Sequence, residues 1–384
     1  MKVVICGAGI TGLTLAHRLS GHEVVLLERA PGPRPQGYMI DFFGPGYDAL
    51  EAMGLLPAVE EIAYHLDEAT LLDEHGHRRS AVQYPEFAKI VDGRLMSLMR
   101  PDLERVLLEN LPSTVDLRFD TSLTAIAGNK VTLDDGTELE ADLIVGADGV
   151  HSTVRRLVFG EIPLRHLGFH TAAYIFDDPE IHAATVGRFC LTDTVGQQMG
   201  LYGLRDGRVA AFAVHRTADP TIPDDIPAAL KATYGGLGWL VPRALEKCPS
   251  AAEIYYDQVA QVEMPRWSKG NVVLVGDACY AVSLLAGQGA SLGIGGAYVL
   301  TEQLTTQPLD QALAEYERLW RPVVEDKQKV GRSGAHWFLP KSTMELQLRR
   351  MMLRLSRLPM VRRYVAVTLV GKPSTLIRSP AAST

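Results

Sequence analysis

Four charged side chains of this chain stand where glycines would let a ligand come close to bare backbone. Glu28 lies about twenty residues beyond Gly7-Ala8-Gly9-Ile10-Thr11-Gly12, Asp148 is set in Gly146-Ala147-Asp148-Gly149, and Asp277 is set in Gly276-Asp277-Ala278. Gly287-Gln288-Gly289 follows the last of these, and Arg100 opens the run Arg100-Pro101-Asp102-Leu103. Carboxylates accept hydrogen bonds from hydroxyls, and a guanidinium binds phosphate or hydroxyl oxygens. One extended ligand with phosphates and sugar hydroxyls, gripped by segments far apart in sequence, uses all four. The ordered motifs therefore point to a large nucleotide cofactor.

The elements that must position these groups follow from the flanking residues. Lys2-Val3-Val4-Ile5-Cys6 is a short β-branched run, the pattern of a parallel strand buried on both faces. A helix through Leu13–Leu19 follows at once. Gly7 permits the tight turn, Gly9 lets the backbone approach a pyrophosphate, and Gly12 allows close helix–strand packing. The N-terminus of that helix, at Ile10 and Thr11, supplies free N–H groups and partial positive charge. His22–Glu28 reads as the second strand. Its terminal carboxylate suits both hydroxyls of an adenosine ribose and repels a 2′-phosphate, and Arg29 follows it.

Composition bounds the function. The chain has 384 residues and a net charge of −7, against the concentrated positive charge that nucleic-acid binding needs. Cys6, Cys190, Cys248 and Cys279 lack Cys-x-x-Cys spacing and read as reduced thiols, so no metal site is expected. No apolar run approaches the roughly 18 residues that span a bilayer, and the apolar start is the first strand and not a signal peptide. A cytoplasmic enzyme is the expectation.

Along the chain the design is discontinuous. A Gly/Pro-rich stretch, Pro31 to Gly46, precedes a helix through Tyr47–Met53. Ala69–Asp73 and Arg78–Tyr84 read as strands joined at Glu74-His75-Gly76-His77, whose histidines mark a hairpin tip and not a metal site. Pro101 suits the first turn of a helix, Asp134-Asp135-Gly136 is a hairpin turn, and Asn271–Val275 is a buried strand. From Gly168 to Gln258 strand-like pieces carry no glycine fingerprint, which implies a separate sheet-rich unit. The tail from Met344 to Leu369 is basic and amphipathic, with Arg349, Arg350, Arg354, Arg357, Arg362 and Arg363 among apolar residues. It reads as a helix packed on its own protein, with contact to an anionic membrane the alternative.

These signatures together resemble the class A FAD-dependent (aromatic) monooxygenases, the p-hydroxybenzoate hydroxylase-like family, nearest to its tetracycline-inactivating branch. The likeness covers roughly residues 1–325 and rests on the opening glycines with Glu28-Arg29, on Arg100 with Leu103 and Leu107, on Asp142–Arg155, and on Gly276-Asp277-Ala278 with Gly287-Gln288-Gly289. It implies an α/β fold: a Rossmann-type FAD-binding domain (1–65, 96–167 and 259–325), an inserted β-sheet substrate domain (66–95 and 168–258) and C-terminal helices (326–384). It assigns tightly bound FAD to Gly7, Gly9, Ile10, Thr11, Gly12, Glu28, Arg29, Arg100, Asp148, Gly149, Gly276, Asp277, Gly287, Gln288, Gly289, Ala290 and Ser291. Asp148, which Arg155 can hold seven residues on, is alternatively a structural residue. The chain departs from the family at Cys279-Tyr280, where Ala-His is frequent, at Leu284, where proline is frequent, and at Gly296, where aspartate is frequent.

The resemblance implies reduction by NADPH or NADH, bound transiently because no second glycine fingerprint exists. O₂ capture as a C4a-hydroperoxide and hydroxylation of an aromatic, phenolic or polyketide-type small molecule would follow, with the flavin as oxidant and no catalytic side chain assigned. Gly37-Tyr38-Met39-Ile40-Asp41 resembles the loop of the tetracycline-inactivating branch, which extends the expectation to antibiotic modification. Met39, Asp41, Phe43, Phe189, Met199, Tyr202 and Phe212 are the candidate substrate contacts, each alternatively a core residue. An FAD-linked reductase or epoxidase of an isoprenoid-type substrate, or a non-catalytic flavin-binding regulator, is the rival reading. Oligomeric state is open.

Overall fold

The computed structural model describes residues 1–283, 287–355 and 376–377. At its centre is a six-stranded sheet in the order Ser268–Lys269, Val272–Leu274, Leu143–Gly146, Lys2–Cys6, Glu23–Leu27, Asp116–Arg118, parallel except for the first, short edge strand. Val4 lies opposite both Ile144 and Val25, so the first strand of the chain is the middle of the sheet. Its β-branched run is buried on both faces, as the helices covering a parallel sheet require. Helix Ile10–Arg18 leaves the strand through a turn that only glycine fits: a Cβ on Gly12 would stand 1.8 Å from the Gly7 carbonyl oxygen. The helix then packs along the apolar helix Gly289–Thr306.

A seven-stranded sheet forms the second layer, in the order Tyr255–Gln261, Arg165–Phe176, Val209–Arg216, Gln197–Gly203, Arg188–Thr192, Glu68–Leu72, Arg78–Gln83. All neighbours are antiparallel except Arg188–Thr192 with Glu68–Leu72. One face carries Ala172, Tyr174, Met199, Leu201 and Ala213 against Leu230, Tyr234, Val241 and Ala244, from the helices Ile226–Tyr234 and Val241–Glu246. The hairpin tip after Glu68–Leu72 is closed by Asp73, whose Oδ1 accepts from the amides of His75 (3.0 Å) and His77 (2.8 Å). A ribbon of Met39–Phe43 and Leu95–Met99 and a meander of Leu123–Ala127, Lys130–Leu133 and Glu138–Glu140 complete the strands.

Helix Leu309–Phe338 buries Leu313, Tyr316 and Trp320 against the flank of the first sheet. Helix Thr343–Leu355 then returns to the seven-stranded sheet beside Arg78–Gln83. Its basic residues are partly structural. Arg349 Nη2 and Arg350 Nε each lie 2.6 Å from one oxygen of Asp193, whose side chain is fully buried. Arg354 of this helix is exposed, whereas Arg357, Arg362 and Arg363 lie outside the described residues. None of the described helices is long and apolar enough to cross a membrane.

Breaking a buried pair by removing one partner leaves the others charged and desolvated. Asp193→Ala is therefore expected to lower the urea midpoint by an amount worth about 3–5 kcal/mol and to make the C-terminal helix the first site of limited proteolysis. An unchanged midpoint and cleavage pattern would mean that the Asp193 clamp contributes nothing.

Candidate functional site

The carboxyl ends of Lys2–Cys6, Leu143–Gly146 and Val272–Leu274 open into a cavity of about 760 Å³, whose far wall comes from strand Tyr255–Gln261 of the second sheet. That volume lies within the roughly 300–1,000 Å³ of small-molecule sites, at the place where open α/β sheets bind ligands. Of the residues expected to hold a cofactor, Gly7, Gly9, Ile10, Thr11, Glu28, Arg29, Arg100, Asp148, Gly149, Asp277, Gly287, Gly289, Ala290 and Ser291 line this one cavity. Gly12, Gly276 and Gln288 stand behind its wall. Gly12 packs on Gly7, a Cβ on Gly276 would meet Thr11 Oγ1 at 2.5 Å, and buried Gln288 is the N-cap residue of helix Gly289–Thr306.

The lining suits a dinucleotide. A Cβ added to Gly149 or Gly287 meets no atom of the described residues within 4 Å, and one on Gly9 meets only Glu104 Oε1 at 3.7 Å and Arg100 Nη2 at 4.0 Å. All three line the cavity, so a side chain at any of them would take up part of it. Helices Ile10–Arg18 and Gly289–Thr306 both begin at this cavity without a side-chain cap, the arrangement in which first-turn N–H groups are left for an anionic ligand. Glu28 is fixed by the amides of Ala8 (3.0 Å to Oε2) and Ala30 (2.9 Å to Oε1), which leaves acceptor capacity for sugar hydroxyls.

Arg100 starts helix Arg100–Glu109, its amide bonded to the Tyr38 carbonyl at 3.0 Å and its Nη1 to Glu104 Oε2 at 2.9 Å. Burial works against its charge, but Glu104, Tyr38, Tyr255 and Asp277 more than offset this and hold it firmly protonated. Asp277 lies at the start of the short helix Asp277–Tyr280. Asp277 is exposed to the cavity; the protein around it holds its carboxyl above the usual range by desolvation, while Arg100 pulls it back and Asp257 pushes it further up. Burial likewise lifts the Tyr38 phenol to about 12, against the pull of Arg100.

Asp148 is not held by Arg155. Its carboxylate accepts from Ser152 Oγ and from the amides of Thr153 (2.7 Å) and Val154 (3.1 Å), and so joins the N-cap residue Ser152, whose Oγ accepts from the Arg155 amide at 2.9 Å, in satisfying the first turn of helix Thr153–Phe159. Arg155 turns the other way, with Nη1 on the Ala278 carbonyl (2.8 Å) and Nη2 on the Val150 carbonyl (2.6 Å). It thereby ties the mid-chain motif to the Gly276-Asp277-Ala278 motif.

Of the seven expected substrate contacts, only Asp41 lines the cavity, bonded by Ser97 Oγ (2.7 Å) and Tyr84 Oη (3.0 Å) with its carboxyl raised by burial. The others pack against protein. Met199 faces the helices on the far side of the sheet. Met39 donates its amide to Tyr202 Oη at 2.7 Å, and the Phe189 and Tyr202 rings meet edge to face at 5.2 Å beside it. Phe43 is buried, and Phe212 backs the Tyr38 ring at 5.7 Å.

In their place the wall carries Tyr38, His151, Thr171, Tyr255, Asp257 and Ser283. Tyr38 and Tyr255 lie 5.4 Å apart. His151 Nε2 stands 3.8 Å from Asp257 Oδ1, which raises the imidazole above its ordinary value. The polar–aromatic run Tyr255-Tyr256-Asp257-Gln258 was the one sequence signal for this wall. Of the departures noted in sequence, Tyr280 is buried against Trp267 at 4.9 Å, and a Cβ on Gly296 would stand 2.0 Å from its hydroxyl. A tyrosine here excludes any side chain there. Leu284 lies outside the described residues.

A family model described as "FAD binding domain" matches residues 1–327. An uncharacterised protein of Mycobacterium tuberculosis is 34% identical over 351 residues, covering 85% of this chain and 91% of its own. A flavin-dependent monooxygenase of Legionella longbeachae is 27% identical, with 91% and 92% covered. Among solved structures, tetracycline destructase Tet(55) superposes with a TM-score of 0.82 at 25% identity over 99% of this chain and 98% of its own. HpxO of Klebsiella pneumoniae, complexed with FAD and uric acid, shares the fold at 21% identity, with a TM-score of 0.81 and 97% of each chain covered.

Asp277 lines the cavity and is exposed to it. Asp277→Asn keeps the shape of the side chain and removes its charge, so it should leave the melting point of the cofactor-free protein within about 2 °C of the wild type while binding FAD about tenfold more weakly. Thermal melts and quenching of FAD fluorescence check both halves; unchanged FAD affinity would contradict the assignment.

Proposed function

Because the chain belongs to the FAD-binding-domain family and is an FAD-dependent monooxygenase of the aromatic-hydroxylase type, we propose that it hydroxylates an aromatic, phenolic or polyketide-type small molecule with NADPH or NADH and O₂. The observation that carries this is the shared cavity: the nucleotide-binding motifs and the strand Tyr255–Gln261 wall the same space. A substrate lodged against the sheet is then within reach of a cofactor lodged against the glycines.

Glu28 and the N-terminus of helix Ile10–Arg18 would hold the adenosine diphosphate of FAD, Arg100 and Asp277 its ribityl and phosphate oxygens, and Gly287, Gly289, Ala290 and Ser291 its ring. FAD bound there would supply the redox chemistry, in which NAD(P)H provides two electrons and O₂ gives one oxygen atom to the substrate and the other to water. The chain's own contribution is position and field. The N-terminus of helix Gly289–Thr306 directs partial positive charge at whatever negative charge develops beside it. Ile40, Phe42, Val259 and Val282 give an apolar wall that keeps water out. Tyr38 and Tyr255 present aromatic surface to a planar partner. NAD(P)H visits the same cavity, since the sequence carries no second dinucleotide fingerprint.

The test is to purify the yellow holoprotein and follow NADPH and NADH oxidation in the presence of O₂ against a panel of phenols and fused-ring polyketides. Tetracycline belongs in that panel because the superposed Tet(55) is a tetracycline destructase. At least one compound should accelerate oxidation tenfold or more and emerge carrying one ¹⁸O atom from ¹⁸O₂. Substrate reduction without O₂ uptake would make the protein an FAD-linked reductase instead.

A further inference from the structure

Ser283 is set into the cavity wall in a way that its protein surroundings do not use. Its φ is +87°, a left-handed conformation that side chains other than glycine rarely adopt. The residue is 7% exposed, and its hydroxyl oxygen is buried without a hydrogen-bond partner among the described residues. Buried hydroxyls are nearly always bonded, so a missing partner on a ligand cavity points to the ligand.

The strained backbone is imposed from behind. Gln261 Nε2 donates to the Val282 carbonyl at 2.9 Å, and Gln328 Nε2 to the carbonyls of Val262 (2.7 Å) and Ala281 (3.3 Å). Arg332 Nη1 fixes the Gln261 side chain at 2.9 Å. The Val262 amide donates to the Ala281 carbonyl at 3.2 Å, which seats this segment on the end of strand Tyr255–Gln261. Ser283 therefore stands at the seam between the nucleotide-binding layer and the second sheet, on a cavity lining it shares with Val259, Ala260, Ala281 and Val282. A hydroxyl set in a lining that also carries apolar side chains is the arrangement that orients a small molecule.

We propose that the Ser283 hydroxyl is a specificity-determining group that hydrogen-bonds an oxygen substituent, a phenolic hydroxyl or a ring carbonyl, of the substrate held in this cavity. The assignment rests on the phenolic reading of the substrate given above. It makes oxygen-bearing rings better ligands than their deoxy counterparts, because an unfilled site leaves the hydroxyl buried and unpaired.

The experiment titrates oxidised, FAD-loaded protein with phenol, 2-naphthol and tetracycline, each followed by the perturbation of flavin absorbance, in the wild type, Ser283→Ala and Ser283→Gly. Alanine keeps the backbone strain and removes only the hydroxyl, whereas glycine removes both. Any probe that binds the wild type should bind both variants about three- to tenfold more weakly, with FAD affinity unchanged. Ser283→Gly should melt roughly 1–3 °C higher than the wild type. In turnover the loss should fall on KM, with kcat within about twofold. Unchanged probe binding by Ser283→Ala overturns the proposal alone. Weakened FAD binding with probe binding intact also overturns it, by assigning the hydroxyl to the cofactor. A wild type that binds no member of the panel sinks the phenolic reading itself, and this assignment with it.

Discussion

Everything about the cavity depends on how closely three stretches of backbone, remote in sequence, approach one another at the carboxyl edge of the parallel sheet. Thr11 is the wedge between two of them: a Cβ on Gly276 would come within 2.5 Å of its hydroxyl oxygen, and one on Gly293 within 2.3 Å. Gly7 meets the third, where a Cβ would lie 2.5 Å from the Ala147 carbonyl oxygen. Arg155 adds a polar tie across the same junction through the carbonyls of Val150 and Ala278. A side chain at any of these glycines would have to push apart the strands that carry Glu28, Asp148 and Asp277. The close approach of backbone at these glycines thus sets where each charged group begins, and hydrogen bonds to the carboxylates of Glu28 and Asp148 fix where those two end.

The site's electrostatics follow from that geometry. Arg100 and Asp277 face one cavity together with Tyr38, Tyr255 and Asp257, so each changes the cost of charging the others. The lifted phenol of Tyr38 records a desolvation that the empty protein bears. A ligand bringing phosphates and hydroxyls meets groups already oriented. The glycine-rich turns and uncapped helix ends trade stability of the empty fold for that readiness.

Much of this was legible in the sequence where periodicity and glycine spacing act together. The opening strand, turn, helix and Glu28 are local, and the mid-chain and late motifs repeat the strand-then-glycine pattern, so the sheet that holds them was foreseeable. The far wall was not. Tyr38 and Tyr255 meet across more than two hundred positions, and which face of a strand points into a cavity depends on register with its neighbours. Met199 and Phe189 have the residue types expected of a pocket, yet pairing places Met199 opposite Ala213 on the helix-covered face. Asp148 shows the converse error. Its neighbour in sequence, Arg155, looked like its partner, but Asp148 satisfies the local amides instead.

The seven-stranded sheet also sets an order of events during synthesis. Glu68–Leu72 pairs in parallel with Arg188–Thr192, and the central strand Lys2–Cys6 is flanked by Leu143–Gly146, with Val272–Leu274 beyond it. At the roughly 5–20 residues per second of translation, the hairpin of Glu68–Leu72 and Arg78–Gln83 waits on the order of 6–24 s for its neighbour to leave the ribosome. During that interval one of its edges is an open template of unpaired N–H and C=O groups. Neither sheet is complete until both halves of the chain are present, so a nascent chain of this protein spends most of its synthesis needing protection from other chains.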